Sequence, residues 1–138
     1  NEKTEQAARP QLIAGGRSVL FTLRTSGGEW DDASIVVQHL ATGKRSVLGK
    51  GSDARVLPTG HLVFAREGTI FAVPFDETGP TVTGGPVPIQ QGIQVVRSTG
   101  TSHVAWSASG TFAIAHGSPQ LFQQRLRIDQ VGRVEVLR

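Results

Sequence analysis

A chain of 138 residues with 17 Gly, 7 Pro and a formal charge of +3 is long enough for one domain with a real core, and abundant Gly and Pro without a heptad pattern favour a turn-rich all-β protein over a helical one. The absence of Cys excludes disulfides, thiolate metal sites and cysteine nucleophiles, while Lys and Arg stand singly rather than in the clustered stripe of a nucleic-acid binder. No apolar stretch approaches the ~18 residues that span a bilayer, and the polar start Asn1-Glu2-Lys3-Thr4-Glu5-Gln6 is not a signal peptide.

In chain order, residues 1–9 read as a polar linker, and a chain with no Met is expected to be a processed or excised piece. The first unit begins at Pro10. Gln11 to Ala14 is a short strand, Gly15-Gly16 a turn, and Ser18 to Arg24 a longer strand. Thr25 to Asp32 is a polar loop carrying Trp30. Ser34 to Leu40 is a third strand, Thr42-Gly43 a turn, and Arg45 to Leu48 a fourth.

The second unit is the clearest in the sequence. A short apolar run ends at Pro58-Thr59-Gly60, where a turn needs a fixed φ and then a residue free of Cβ restriction. A strand from His61 to Ala65 follows, Glu67-Gly68 closes a second hairpin, and a third strand runs from Thr69 to Phe75. Thr78 to Pro86 reads as loop. Val87-Pro88-Ile89 reads as an edge strand, where a missing N–H costs least.

The third unit starts near Ser102. His103 to Trp106 is its first strand and Ser107 to Gly110 a turn. Phe112 to Ala115 and Leu121 to Ile128 are strands, Asp129 to Gly132 a turn, and Val134 to Leu137 the last strand.

The three units superpose. Gly16, Gly60 and Gly110 mark the first turns at a spacing of roughly 45 to 50 residues, the period of propeller blades. Thr42-Gly43, Thr78-Gly79 and Val131-Gly132 mark the turns before the fourth strands. Val19-Leu20-Phe21 and Leu62-Val63-Phe64 are apolar on both faces, as in sheets packed between neighbouring sheets. The expected fold is therefore all-β, a partial β-propeller of about three four-stranded antiparallel blades over residues 10–51, 52–92 and 93–138. A two-sheet sandwich of about twelve short strands is the competing arrangement.

These repeats resemble TolB-like, WD-repeat-related propeller units. The blocks Ser52-Asp53-Ala54-Arg55, Pro58-Thr59-Gly60-His61-Leu62-Val63 and Ala72-Val73-Pro74-Phe75-Asp76 are more particular. They resemble the propeller region C-terminal to bacterial membrane-anchored serine/threonine protein kinases, as does Arg127-Ile128-Asp129-Gln130-Val131-Gly132-Arg133. Ala14-Gly15-Gly16 departs from the family's Pro-Asp-Gly, and Ser107-Ala108-Ser109-Gly110 lacks its turn Asp. The resemblance implies a sensory or interaction module of a receptor kinase on the extracytoplasmic side. A TolB-like envelope scaffold and the propeller cap of a peptidase are the alternatives.

Three blades do not close a ring. Several hundred Å² of apolar surface left open costs on the order of 10 kcal/mol, so a homodimer completing a six-bladed ring is expected, with a protein or peptide as a further partner. Neither nucleic-acid binding nor direct membrane insertion is expected.

Catalytic patterns are thin. There is no Gly-x-Ser-x-Gly elbow, no phosphate loop and no kinase catalytic loop, so no enzymatic activity is expected. Gly49-Lys50-Gly51-Ser52-Asp53-Ala54 loosely matches a dinucleotide fingerprint, but no helix follows to supply the phosphate-binding amides. His39, His61, His103 and His116 show no i,i+4 spacing and lie on different predicted strands, and surface or channel-side roles suit them better than a metal site. Glu29-Trp30-Asp31-Asp32 could hold a hard cation but lacks a spaced Asp ladder, and a solvated loop with Trp30 folded against its blade is the plainer reading. No cofactor and no metal are expected.

Binding is the natural role of a propeller, whose inner strands line a central channel. Asp53 and Arg55 enter the inner strand of the second unit, and Arg97, Ser98, Thr99 and His103 precede or enter that of the third. With Trp30, the candidate binding residues are Asp53, Arg55, Arg97 and His103. The structural alternative has Asp53 and Arg55 tying adjacent blades together by hydrogen bonds.

Overall fold

The computed structural model describes residues 4–115, 123–128 and 133–137. Among them the chain is all-β, with several antiparallel sheets. The first sheet runs in order through β1 (Glu5–Ile13), β2 (Ser18–Thr25), β3 (Ser34–His39) and β4 (Arg45–Lys50). The second contains β5 (Ser52–Leu57), β6 (His61–Arg66) and β7 (Thr69–Asp76), with β8 (Thr81–Val82) and β9 (Val87–Gln90) both paired to β7. A two-stranded ribbon, β10 (Val95–Val96) and β11 (Thr101–Ser102), leads into the last sheet. That sheet runs in order through β12 (Val104–Trp106), β13 (Thr111–Ala115), β14 (Gln123–Ile128) and β15 (Val134–Leu137). No described helix is long and apolar enough to cross a membrane.

The hairpin turns follow from residue chemistry. Glu67 (φ +50°) and Gly68 (φ +73°) both adopt the left-handed conformation, which makes the β6–β7 connection a type I′ turn whose twist matches its strands. The three large sheets share a second device. The amide of Gly60 donates to Leu57 O, that of Gly110 to Ser107 O and that of Arg17 to Ala14 O. The carbonyl of each of these turn residues then accepts from beyond or near the end of a later strand, at Phe75, Ile128 and Leu40 respectively. By this bonding the first-sheet counterpart of Gly60 and Gly110 is Arg17, one residue past the Gly16 that the sequence pattern selects.

Two expectations need correction. The stretch read as a linker is, from Glu5 onward, part of β1 and pairs with β2 as far as Glu5 opposite Thr25; its polarity suits an exposed edge strand, where pairing needs no apolar face. The stretch read as loop from Thr78 to Pro86 contains β8, which pairs with Phe75 and Asp76, while β9 pairs with Ile70 to Ala72. Prolines at 80, 86 and 88 withhold N–H groups, so the outer strand of this sheet is split in two. The β10–β11 ribbon had no signal in the sequence at all. Residues 1–3, His116, the start of the strand expected from Leu121, and the turn expected from Asp129 to Gly132 lie outside the described residues.

Packing explains why the second sheet has no simple alternation. Leu62 and Val73 join Leu20, Ile35, Val37 and Phe75 in a cluster shared with the first sheet. Their sequence neighbours Val63 and Ala72 point the other way and pack with Leu57 and Ile128, with Trp106 alongside. A third cluster joins Ala65 and Ile70 to Ile93, Phe112 and Ile114. The second sheet is thus covered on both faces, and consecutive residues serve opposite cores because the side-chain period of a strand is two. The outer sheets differ on their far faces. On the first, Phe21 is buried under the Arg45 guanidinium, 5.6 Å from its ring, while Leu12 and Val47 are each 67% exposed. On the last, Ala105 and Ala113 are paired across strands and exposed, and Arg127 is exposed beside them.

Candidate functional site

The first strands of the three large sheets, β1, β5 and β12, come together, and two backbone irregularities shape the meeting. Pairing in β1 slips between Ala8 and Gln11, and in β5 between Ser52 and Arg55. Inside these bulges Arg9 (φ +54°) and Asp53 (φ +51°) adopt the left-handed conformation, which is rare for such residues and re-aims the side chain. The two bulges face each other. Arg9 Nε donates to Asp53 Oδ1 at 2.8 Å, and Asp53 Oδ2 accepts from the Ser102 amide at 2.9 Å and from the Ser102 hydroxyl. Asp53 therefore joins β1, β5 and β11.

A second tie lies two residues further along β1. The Gln11 side chain reaches the β5 backbone, with Nε2 donating to Val56 O at 3.0 Å and Oε1 accepting from Val56 N at 2.8 Å. A side-chain amide thus continues the hydrogen-bond ladder between two sheets that share no strand pairing. Gln11→Ala should strand both Val56 groups and lower stability by about 1–2 kcal/mol, read as a shift in denaturation midpoint with unchanged slope.

Beside these ties opens a cleft. One cavity of about 380 Å³ is walled by Gln11, Arg55, Leu57, Pro58, Glu77 and Trp106. A second, of about 290 Å³, is walled by Arg9, Pro10, Gln11, Ala54 and Arg55. They share Gln11 and Arg55. Arg55 is half-buried and has no hydrogen-bond or ion-pair partner among the described residues. The charges near it are engaged: Arg9 by Asp53, and Glu77 by the Ala14 amide, which donates to Oε1 at 2.7 Å. Trp106 lies against Phe112 with ring centroids 4.5 Å apart.

The other sequence candidates lie elsewhere. Trp30, in a short 3-10 turn (Trp30–Asp32), is buried, with the Arg24 guanidinium 4.3 Å from its ring centroid. Its indole Nε1 is buried without a partner among the described residues. Trp30 and Arg97 come together in a separate cavity of about 300 Å³ with Glu29, Asp31 and Ile93. Asp31 Oδ1 accepts the Glu67 amide at 2.9 Å, tying this loop to the β6–β7 turn. His103 is exposed and held by its backbone, whose amide donates to Gln94 O. His61 is buried and its Nδ1 lies 3.0 Å from Thr59 Oγ1, while His39 is exposed with its Nδ1 3.3 Å from Thr42 Oγ1. Among the described residues no group of three or more His, Asp or Glu is placed to hold a metal ion.

No family model, curated protein or solved structure matches the chain. The chemistry of the cleft must therefore be argued from its own residues. Arg9, Gln11, Glu77 and Trp106 were not singled out in the sequence. None sits in a motif, and only the packing of three sheets makes them neighbours.

Proposed function

We propose that the chain is a non-catalytic binding module, in which the three large sheets are successive blades of a β-propeller and the cleft between their first strands takes a ligand or peptide. The sheet order along the chain, the packing of the second sheet on both faces and the shared first-turn hydrogen bonds support the blade reading. The single observation that carries the binding reading is Arg55. A half-buried cation without a partner among the described residues, lining two adjoining cavities, is a group whose desolvation those residues do not offset. The resemblance of residues 51–76 to kinase-associated propellers makes a sensory or interaction role in a receptor kinase the natural setting.

The test is to pan a random peptide library over the immobilised protein and over its Arg55→Gln variant. Enrichment of a peptide class on the first that fails on the second is expected. Enrichment indifferent to the substitution, or none, would remove the cleft from the reading.

The exposed Leu12 and Val47 favour a second element of the proposal, a homodimer that closes a six-bladed ring. Each seam would set these protruding side chains against the alanine-floored far face of the partner's last sheet. Light scattering over a concentration series should give twice the monomer mass of 14.7 kDa, and Val47→Lys should return it to the monomer value. A wild-type monomer at all concentrations would rule out ring closure by a second copy.

A further inference from the structure

Resting on the reading of the cleft as the binding site, we propose that its ligand is a monoanionic carboxylate carried on a compact apolar group, with Arg55 as the carboxylate partner and Trp106 as part of the apolar wall. The sign of the charge comes from what remains after the internal pairs are set aside. Arg9 is neutralised by Asp53, and Glu77 is occupied by the Ala14 amide while keeping its negative charge in the wall. Of the two cleft charges outside an ion pair, Glu77 holds the Ala14 amide, and Arg55 has no hydrogen-bond or ion-pair partner among the described residues. A planar guanidinium fork matches a carboxylate in a two-bond arrangement.

The magnitude of the charge follows from the same inventory. A phosphate dianion would need more than one free cation and would lie near the Glu77 carboxylate. A neutral ligand would leave Arg55 desolvated and unpaired as the cleft filled. A single carboxylate matches the Arg55 guanidinium one to one and brings half a dianion's charge beside Glu77.

The body of the ligand is set by the rest of the wall. Val56, Leu57, Pro58 and Ala108 contribute apolar surface, and Trp106 adds an aromatic ring. The Gln11 amide, the obvious neutral hydrogen-bonding group, is spent on both polar atoms of Val56. Of the other polar groups in the wall, the Ser107 hydroxyl is paired with Ser109 and Glu77 with the Ala14 amide. A cavity of about 380 Å³ is of the size that takes a small ligand or one to two residues of a peptide. The carboxylate could therefore belong to a free amino-acid derivative, to the C-terminus of a chain, or to an internal acidic side chain.

Four probes separate these sources, titrated against the isotope-labelled full chain by amide NMR: N-acetylphenylalanine, N-acetylphenylalanine amide, a tetrapeptide ending in Phe with a free C-terminus, and an end-blocked tetrapeptide with an internal Glu beside Leu. The acid is expected to perturb the amides of residues 55–58 and 106–108. The amide should bind at least about tenfold more weakly, as expected for loss of a charge-assisted pair. Arg55→Gln should abolish the difference between acid and amide, while Arg55→Lys should keep part of it. Because Arg55 holds no other group among the described residues, neither variant should lower the denaturation midpoint, so a loss of binding is not a loss of fold. Which of the two peptides competes with N-acetylphenylalanine decides between a terminal and an internal carboxylate.

Acid and amide perturbing the cleft equally would overturn the carboxylate assignment while leaving the cleft as the site. Perturbations outside the cleft, or none with any probe, would overturn both.

Discussion

Replacing Asp53 with alanine is expected to destabilise the protein by about 2–4 kcal/mol. Its side chain is 6% exposed and accepts from Arg9 Nε and from both the amide and the hydroxyl of Ser102. Ser102 is itself buried, so truncation leaves two donors there without an acceptor, and each unmade buried hydrogen bond carries its desolvation penalty. Alanine must also hold φ near +51°, a conformation Asp tolerates better than most residues.

Arg9→Ala should cost less, about 1 kcal/mol, because the Arg9 side chain is 39% exposed and its half of the pair is already partly solvated. The two losses share one interaction. The double variant should therefore fall short of their sum by about 0.5–1 kcal/mol. Denaturant titration of the four proteins measures this directly. An Asp53→Ala loss under 1 kcal/mol, or strict additivity with Arg9→Ala, would mean that the tie between β1, β5 and β11 contributes little.

The second large effect is expected at Gly100. Its φ is +71°, and a Cβ placed there would run into Cδ2 of the Trp30 indole, with Cε3 at 2.7 Å and Cε2 at 2.8 Å. The ring cannot easily yield, being buried and overlain by Arg24, so Gly100→Ala combines backbone strain with overpacking. A loss of about 3–5 kcal/mol is expected. Gly27→Ala is the natural control. Its φ is +81°, yet nothing lies within 4 Å of the added methyl, so only the backbone term of about 1 kcal/mol applies. Equal losses at the two positions would show that the Trp30 contact is soft, and that the ribbon moves freely over the 25–32 loop.

Much of the local structure was legible because it depends on neighbours in sequence. The β6–β7 hairpin could be read from Glu67-Gly68, which needs two left-handed residues, and the strand of Leu62 to Phe64 from its unbroken apolar run. The repeat was visible in Gly60 and Gly110, both with φ above +80°. Its first member was misplaced by one residue because Gly16 also has a left-handed φ, of +83°. The hydrogen bonds, not the glycine, put Arg17 in register. Residues 5–9 were missed because an exposed edge strand has no apolar face to show. The β10–β11 ribbon was missed because two-residue strands held by few bonds have no periodicity.

The candidate site divides along the same line. Asp53 and Arg55 drew notice through their position near the start of an inner strand, and both are found where three sheets meet. They do different things there. A bulge at Asp53 turns its carboxylate into a structural tie, and the ladder then resumes at Arg55, whose side chain has no partner among the described residues. Nothing in Ser-Asp-Ala-Arg announces a bulge, since neither member of the Arg9–Asp53 pair is a glycine and they are 44 residues apart. Trp30 and Arg97 do share a cavity, but it is a separate one. By itself, then, the sequence determined what short-range chemistry can determine: turns from Gly, Pro and left-handed pairs, strands from apolar runs, and an all-β chain of repeated units. Only the tertiary structure decided which polar side chains are engaged and that Arg55 has no partner among the described residues, because the contacts of Asp53, Glu77 and Gln11 are with groups that distant strands bring within about 3 Å.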